Sequence, residues 1–433
     1  MDDIDLNYKN VLLSSLALPL QEVKRLSTIA GPFEFSDIIS KFCVDDFKPG
    51  ELKNENALDS YDYCNLKSGD FCVNLHVHSD NSDGKASVER LLHHAAKIAD
   101  INFKKTGKPF VLALTDHDTT AGCQKAVKII YDNPDKFKNL KLSLGVEIST
   151  VGTRFGKQLK PVSIHLLVYC INPFDDKLNS FLKFKSEEKL KLTCKTIDYL
   201  NSSLDEALES LGIRFSLQEA GCIHEMILKG QDDVCPPLRK YTGAKILFTY
   251  MMKTLGLNEH EYNIEKPIRL NKSLFRGKFD FIESYKKGFE NYTHKSADLP
   301  EDIKNLALKA RELCLIAAPS MQNIQPAFAQ FDDTVSFVKD LDYGLMSIAH
   351  PARIFSDNID RPMVDFYRNL FESFKKAGAE KAKYYEKYYG SYEGAAMFAK
   401  LDSINKAAEE CGLLCTGGLD SHGANVIARC PYT

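Results

Sequence analysis

Between Phe71 and Ile171 this chain repeats one pattern, a short apolar segment followed by a stretch of helical spacing. The apolar segments are Phe71–His78, Pro109–Thr115, Lys141–Ser149 and Val162–Ile171, and Val88–Ile101 and Ala121–Tyr131 read as helices between them. Strands alternating with helices imply an α/β fold with a parallel sheet, here a barrel. The alternation stops after Ile171 and resumes at Tyr343–Ala349, Ala382–Tyr389 and Gly412–Thr416. The region between is charged and helical in spacing, including Leu178–Leu200, Asp205–Leu211 and Leu299–Leu315. The simplest layout is one barrel over 71–433 with a helical insertion at 171–341.

Residues 1–43 also have helical spacing, with Leu12, Leu16, Leu20, Val23 and Leu26 recurring. Asp45–Asp70 is polar and turn-rich, so 1–70 reads as an accessory N-terminal segment. The start is acidic where a secretory signal is basic, and Val11–Leu20 is too short and too polar for a membrane span. Twelve cysteines without a Cys-x-x-Cys pair imply reduced thiols and a cytoplasmic protein. Cys411 and Cys415 read as small apolar residues flanking a strand, and the tyrosines around Tyr384–Tyr392 as packing residues. With 56 Lys and Arg against 59 Asp and Glu, the net charge of −3 does not favour a long duplex nucleic acid as partner.

Ionisable residues gather on the strand segments. In Val73-Asn74-Leu75-His76-Val77-His78, strand periodicity puts Val73, Leu75 and Val77 on one face and His76 and His78 on the other. The second segment ends in Thr115-Asp116-His117-Asp118. Glu147 stands opposite Leu144, Val146 and Ile148 in the third, and His165 interrupts the fourth. Ala349-His350-Pro351-Ala352-Arg353 and Gly418-Leu419-Asp420-Ser421-His422-Gly423 follow the last strands. A lone buried histidine is usually a hydrogen-bonded core residue. Successive strands each carrying or ending in a histidine or a carboxylate, in a fold that collects its sites at strand ends, point to a metal centre.

The motifs His76-Val77-His78 with Asp83-Gly84, Thr115-Asp116-His117-Asp118, Gly145-Val146-Glu147, Ala349-His350-Pro351 and Asp420-Ser421-His422 resemble those of the PHP (polymerase and histidinol phosphatase) family in type and order. The resemblance covers roughly 71–170 and 340–433. It is closest to the stand-alone branch acting on nucleotide 3′,5′-bisphosphates or oligonucleotide 5′ ends. It implies a distorted seven-stranded β/α barrel holding three divalent ions (Mn, Zn or Fe). One ion would take His76, His78, Glu147 and Asp420. A second would share Glu147 and add His165 and His350, and a third would take Asp83, His117 and His422. The implied activity is hydrolysis of a phosphate ester by a hydroxide bridging the ions, with Glu147, Asp420 and His117 central to catalysis. The implied substrate is a phosphorylated small molecule or short oligonucleotide, with no membrane involved. Arg353 is placed to clamp a phosphate, although a surface arginine would read the same. Asp116 and Asp118 are expected to orient His117 or a helix start, and His93 and His94 to be ordinary helix residues.

The branch usually carries an Arg-Pro-His element in its insertion. Here that region reads Val234-Cys235-Pro236-Pro237-Leu238-Arg239-Lys240, which lacks the histidine and leaves Arg239 as the candidate second phosphate contact. Two other readings stand beside the leading one. One is an amidohydrolase-type C–N hydrolase, which also opens with His-x-His but tends to use a carboxylated lysine where Glu147 stands. The other is a catalytically silent scaffold of the same fold.

Overall fold

The computed structural model describes residues 3–40, 73–82, 84, 86–152, 162–185, 329–354, 363–389 and 395–423. All belong to the unit formed by Met1–Lys185 and Phe328–Thr433. Asp83, Arg239, the segment 45–70 and most of the expected insertion lie outside the described residues.

Seven strands lie in one sheet in chain order: β1 (Val73–Val77), β2 (Phe110–Leu114), β3 (Leu140–Gly152), β4 (Val162–Tyr169), β5 (Leu345–Ile348), β6 (Ala382–Tyr389) and β7 (Leu414–Gly418). The two edges meet beyond β7, where Ser421 N donates to His76 O at 3.0 Å and His78 N donates to Ser421 O at 2.8 Å. The result is the expected α/β architecture, a mixed sheet curled into a distorted barrel. Gly418 permits this closure, because a Cβ there would sit 2.4 Å from the His76 Cβ. Helices Val88–Thr106, Ala121–Asp132, Phe331–Lys339 and Met363–Gly378 seat Leu91, Leu92, Val127, Val335, Leu370 and Phe374 in the core cluster that also holds Leu112, Leu142, Leu144 and Val146. No described helix is long and apolar enough to cross a membrane.

Three features differ from the periodicity reading, each for a local reason. Val73 and Asn74 pair with Val111 and Leu112, but Val77 pairs with Leu114, so β1 carries one extra residue. This bulge shifts the phase of the strand. Val73 and Leu75 then lie in one apolar cluster and Val77 in another, so the three do not share a face. Second, β4 runs antiparallel to both β3 and β5. His165, near its beginning, thereby reaches the same end of the sheet as residues that end the parallel strands. Third, β7 starts at Leu414 rather than Gly412. Gly412 takes φ 65° after the helix Ala395–Glu410, and Leu413 N returns to Ala408 O at 2.9 Å, a glycine helix stop that consumes the first residues of the expected strand.

The N-terminal residues pack into the barrel. The helical spacing over 1–43 breaks at Pro19 and at Gly31-Pro32 into α1 (Asp3–Ser15), a short 3-10 turn and α2 (Pro32–Ser40). Leu142 N donates to Thr28 O and Ala30 N to Leu142 O, both at 2.8 Å, which joins this segment to β3. Phe35 and Ile39 of α2 are buried with Val73, Val111, Leu345 and Tyr384 from the first halves of parallel strands, with Leu75 and Ala113 further along β1 and β2, and with Leu167 and Tyr169 near the end of β4. Most of these positions lie toward one end of the barrel, which α2 covers, while Leu167 stands opposite Glu147 in the β3–β4 register. Asp5 caps α2, accepting from Phe33 N at 3.1 Å and Glu34 N at 3.0 Å.

Candidate metal centre

The opposite end gathers the ionisable residues. Glu147 is fully buried on β3, and five histidine ring nitrogens face its carboxylate. Oε2 lies 3.0 Å from His76 Nε2, 3.2 Å from His78 Nε2 and 3.1 Å from His117 Nδ1. Oε1 lies 2.7 Å from His165 Nδ1 and 3.1 Å from His350 Nε2. Asp420 adds a second carboxylate, with Oδ1 2.9 Å from His78 Nε2 and 3.4 Å from His76 Nε2. His422 stacks on His78 with centroids 4.6 Å apart, and its Nδ1 lies 2.7 Å from the Asp420 carbonyl. Eight of the nine expected ligands thus converge, and the ninth, Asp83, is outside the described residues.

Among the described residues the donors form three overlapping groups whose ligand atoms lie within 4.8 Å of one another. His76, His78, Glu147 and Asp420 make the first, as the resemblance implies. The second is His117, Glu147 and His165, so His117 stands where His350 was expected, although His350 also faces Glu147. The third is His78, His117 and His422.

The donor chemistry fits divalent ions. His76 Nδ1 lies 3.1 Å from Glu386 Oε1, so in the neutral ring Nδ1–H donates there. Nε2 then aims a lone pair at the Glu147 and Asp420 oxygens, an arrangement that a cation between them makes favourable. Without one, burial alone would raise the Glu147 carboxyl, but the positive charge of His117, His76 and His165 in their protonated forms outweighs it and holds the group well below the usual carboxylate range. Burial likewise opposes ionisation of Asp420, and His422, His76 and His78 hold it low.

Glu386 is the residue that sequence reasoning missed. It is buried on β6, holds the His76 ring, and accepts from His350 N at 2.7 Å. One carboxylate thus orients one expected ligand and the backbone of another, as outer partners of metal histidines do. The available signal was alternation. Glu386 is two residues from the buried Tyr384, on the inward phase of a strand read only for its tyrosines.

Of the two neighbouring aspartates, Asp116 departs from expectation. Asp116 accepts from Ser79 N at 2.7 Å, Ser79 Oγ at 2.7 Å and Ser82 Oγ at 2.6 Å, so it holds the turn after His78 rather than His117 or a helix start. Gly122 makes room for it, since a Cβ there would lie 2.1 Å from Asp116 Oδ2. Asp118 accepts from Ser149 N and Lys185. Arg353 stands at the rim, partly exposed, with Nη1 4.0 Å from Asp420 Oδ2. His93 lies on the helix Val88–Thr106 beside Lys136 and Phe137, in none of the donor groups. Three residues in or beside the centre, Asp118, His350 and Asp420, have φ of 50°, 28° and 50°, conformations that non-glycine residues adopt at a cost of roughly 1–3 kcal/mol each.

No protein-family model matches the chain, and no curated protein matches it by sequence. Two solved structures are similar in part. One, from Bifidobacterium adolescentis and provisionally named a metal-dependent phosphoesterase, is 16% identical with a TM-score of 0.44, over 83% of this chain and 90% of that one. The other, an amidohydrolase from Chromobacterium violaceum with bound sulfate and no metal, is 20% identical with a TM-score of 0.44, over 81% of this chain and 87% of that one.

Proposed function

We propose that this chain is a metal-dependent phosphoesterase of the PHP type, acting on a nucleotide, a short oligonucleotide or another small phosphorylated metabolite. The observation that carries the proposal is the buried Glu147 carboxylate with five histidine ring nitrogens within 3.2 Å of its oxygens. That donor set sits on the same residues whose motifs resemble the family.

His76, His78, Glu147 and Asp420 would hold one ion. His117, His165 and His350 would share Glu147 around a second, and His422 and Asp83 would join His117 at a third. Imidazole with carboxylate suits Mn, Zn or Fe. Such ions, when bound, neutralise phosphate oxygens and make water a nucleophile at neutral pH. The chain's own residues do the positioning. Glu386 fixes the ring of His76 and the backbone of His350, and Asp116 fixes the turn that follows His78. Arg353, at the rim beside Asp420, would pair a phosphate oxygen through its guanidinium fork. Arg239 would supply a contact to a second phosphate.

The test is metal analysis of the purified protein with assays on phosphomonoesters, nucleotide bisphosphates and short oligonucleotides, with Mn and Zn compared. The expected result is phosphate release that a chelator abolishes and added metal restores. Full metal occupancy without hydrolysis of any phosphate ester would favour the silent scaffold, and turnover of amides alone would favour a C–N hydrolase.

A further inference from the structure

We propose that Lys185 is a positioning residue for this centre, acting through Asp118 on the segments that carry His117 and Glu147; the inference rests on the metal-dependent reading above. Its side chain is 3% exposed, and its ammonium donates to Asp118 Oδ1 at 2.8 Å and to the Ser149 carbonyl. The same Asp118 oxygen accepts from Ser149 N at 3.0 Å. Asp118 N donates to Glu147 O at 2.9 Å, and Glu147 N donates to Asp116 O at 3.1 Å. His117 is therefore bracketed, with the residues on both sides of it tied to the Glu147 backbone. The clamp closes on Asp118, whose left-handed φ of 50° persists only where its surroundings over-determine it.

Other contacts hold the helix that carries Lys185, described over 176–185. Leu178 and Leu182 of that helix are buried in the core, Asn179 Oδ1 accepts from Thr120 Oγ1 at 2.6 Å, and Phe181 stacks on Phe337 with centroids 4.2 Å apart. Taking an ammonium and a carboxylate out of water is costly, and a well-packed apolar pair of similar volume is often as stable. The pair is therefore better explained by the geometry it imposes on two facing ligand segments than by the stability it adds.

The experiment uses the full chain as wild type, Lys185→Met, Asp118→Asn and the double variant, stripped of metal. Mn²⁺ or Zn²⁺ binding is measured by calorimetry, and Tm is measured on the metal-free protein. Lys185→Met leaves Asp118 buried without this partner, so both Tm and metal affinity should fall, the affinity by about 10–100-fold, as for other outer partners of metal ligands. The double variant removes both charges, so its Tm should recover while its affinity stays at least about tenfold low, and the two single losses should not add. Affinity that recovers together with Tm would make Lys185 merely structural and overturn the proposal, as would wild-type affinity in Lys185→Met. A wild-type protein that binds neither ion would be a different failure, removing the functional reading and this inference with it.

Discussion

The two ends of the barrel are built from different materials. At one end Phe35 and Ile39 meet Val73, Leu75, Val111 and Tyr169 in an apolar plug. At the other, six histidines and two carboxylates crowd together, and the backbone enters left-handed conformations at Asp118, His350 and Asp420. The first arrangement lowers the free energy of the folded chain, by about 1.5–3 kcal/mol for each large side chain fully buried. The second works against it locally, because three non-glycine turns take left-handed backbone there and buried ionisable groups are costly to desolvate, a cost that bound cations would offset. The closed end therefore supplies stability that offsets the strain at the open end.

That division can be broken most sharply at Glu147. Glu147→Gln keeps the shape and removes the one charge that faces five histidines, so turnover should fall on the order of a hundredfold or more, with loss of bound metal. Near-native turnover at full metal occupancy would show that Glu147 is not shared between ions. At the closed end, Phe35→Ala should cost about 3–5 kcal/mol in unfolding free energy through the lost burial and the cavity left behind. Denaturant melts report that loss, and turnover per folded molecule should stay near wild type. If metal content falls as well, the two ends are coupled through β6, where Tyr384 donates to Ser36 two residues from Glu386.

Glu386→Gln sharpens the comparison from within the open end. It should weaken metal binding about 10–100-fold with little change in fold, read by titration of the metal-free protein. Arg353→Ala should raise KM by an amount equivalent to about 1–3 kcal/mol on a phosphorylated substrate and leave kcat near wild type, since a contact made equally in ground and transition states acts on binding. A loss confined to kcat would instead put Arg353 on the reacting group. Asp5→Asn should change least, within about 1 kcal/mol by thermal melts. Burial pushes the Asp5 carboxyl above its usual range, against the pull of the Glu34 and Phe33 amides, and Asn caps a helix about as well as Asp.

By itself the sequence determined the α/β class, the strand segments and the identity of the residues that meet at Glu147. Those follow from local properties: apolar runs of strand length, helical spacing between them, and ionisable residues on strands or in the turns after them. The tertiary structure decided what depends on a distant partner. The bulge in β1 is visible only against β2, and it alone explains why Val77 leaves the face of Val73 and Leu75. The direction of β4 is set by its pairing with β3 and β5, and it carries His165 to the site from near the beginning of a strand. Glu386 reads as an ordinary strand residue until β6 lies beside β5 and turns it toward His76 and His350. The helical residues before the barrel have a spacing that says they must bury one face, but the surface that α2 buries against comes from strands up to 350 residues away. Periodicity records which side of an element seeks an apolar partner; which partner it finds is settled by the packing of the whole chain.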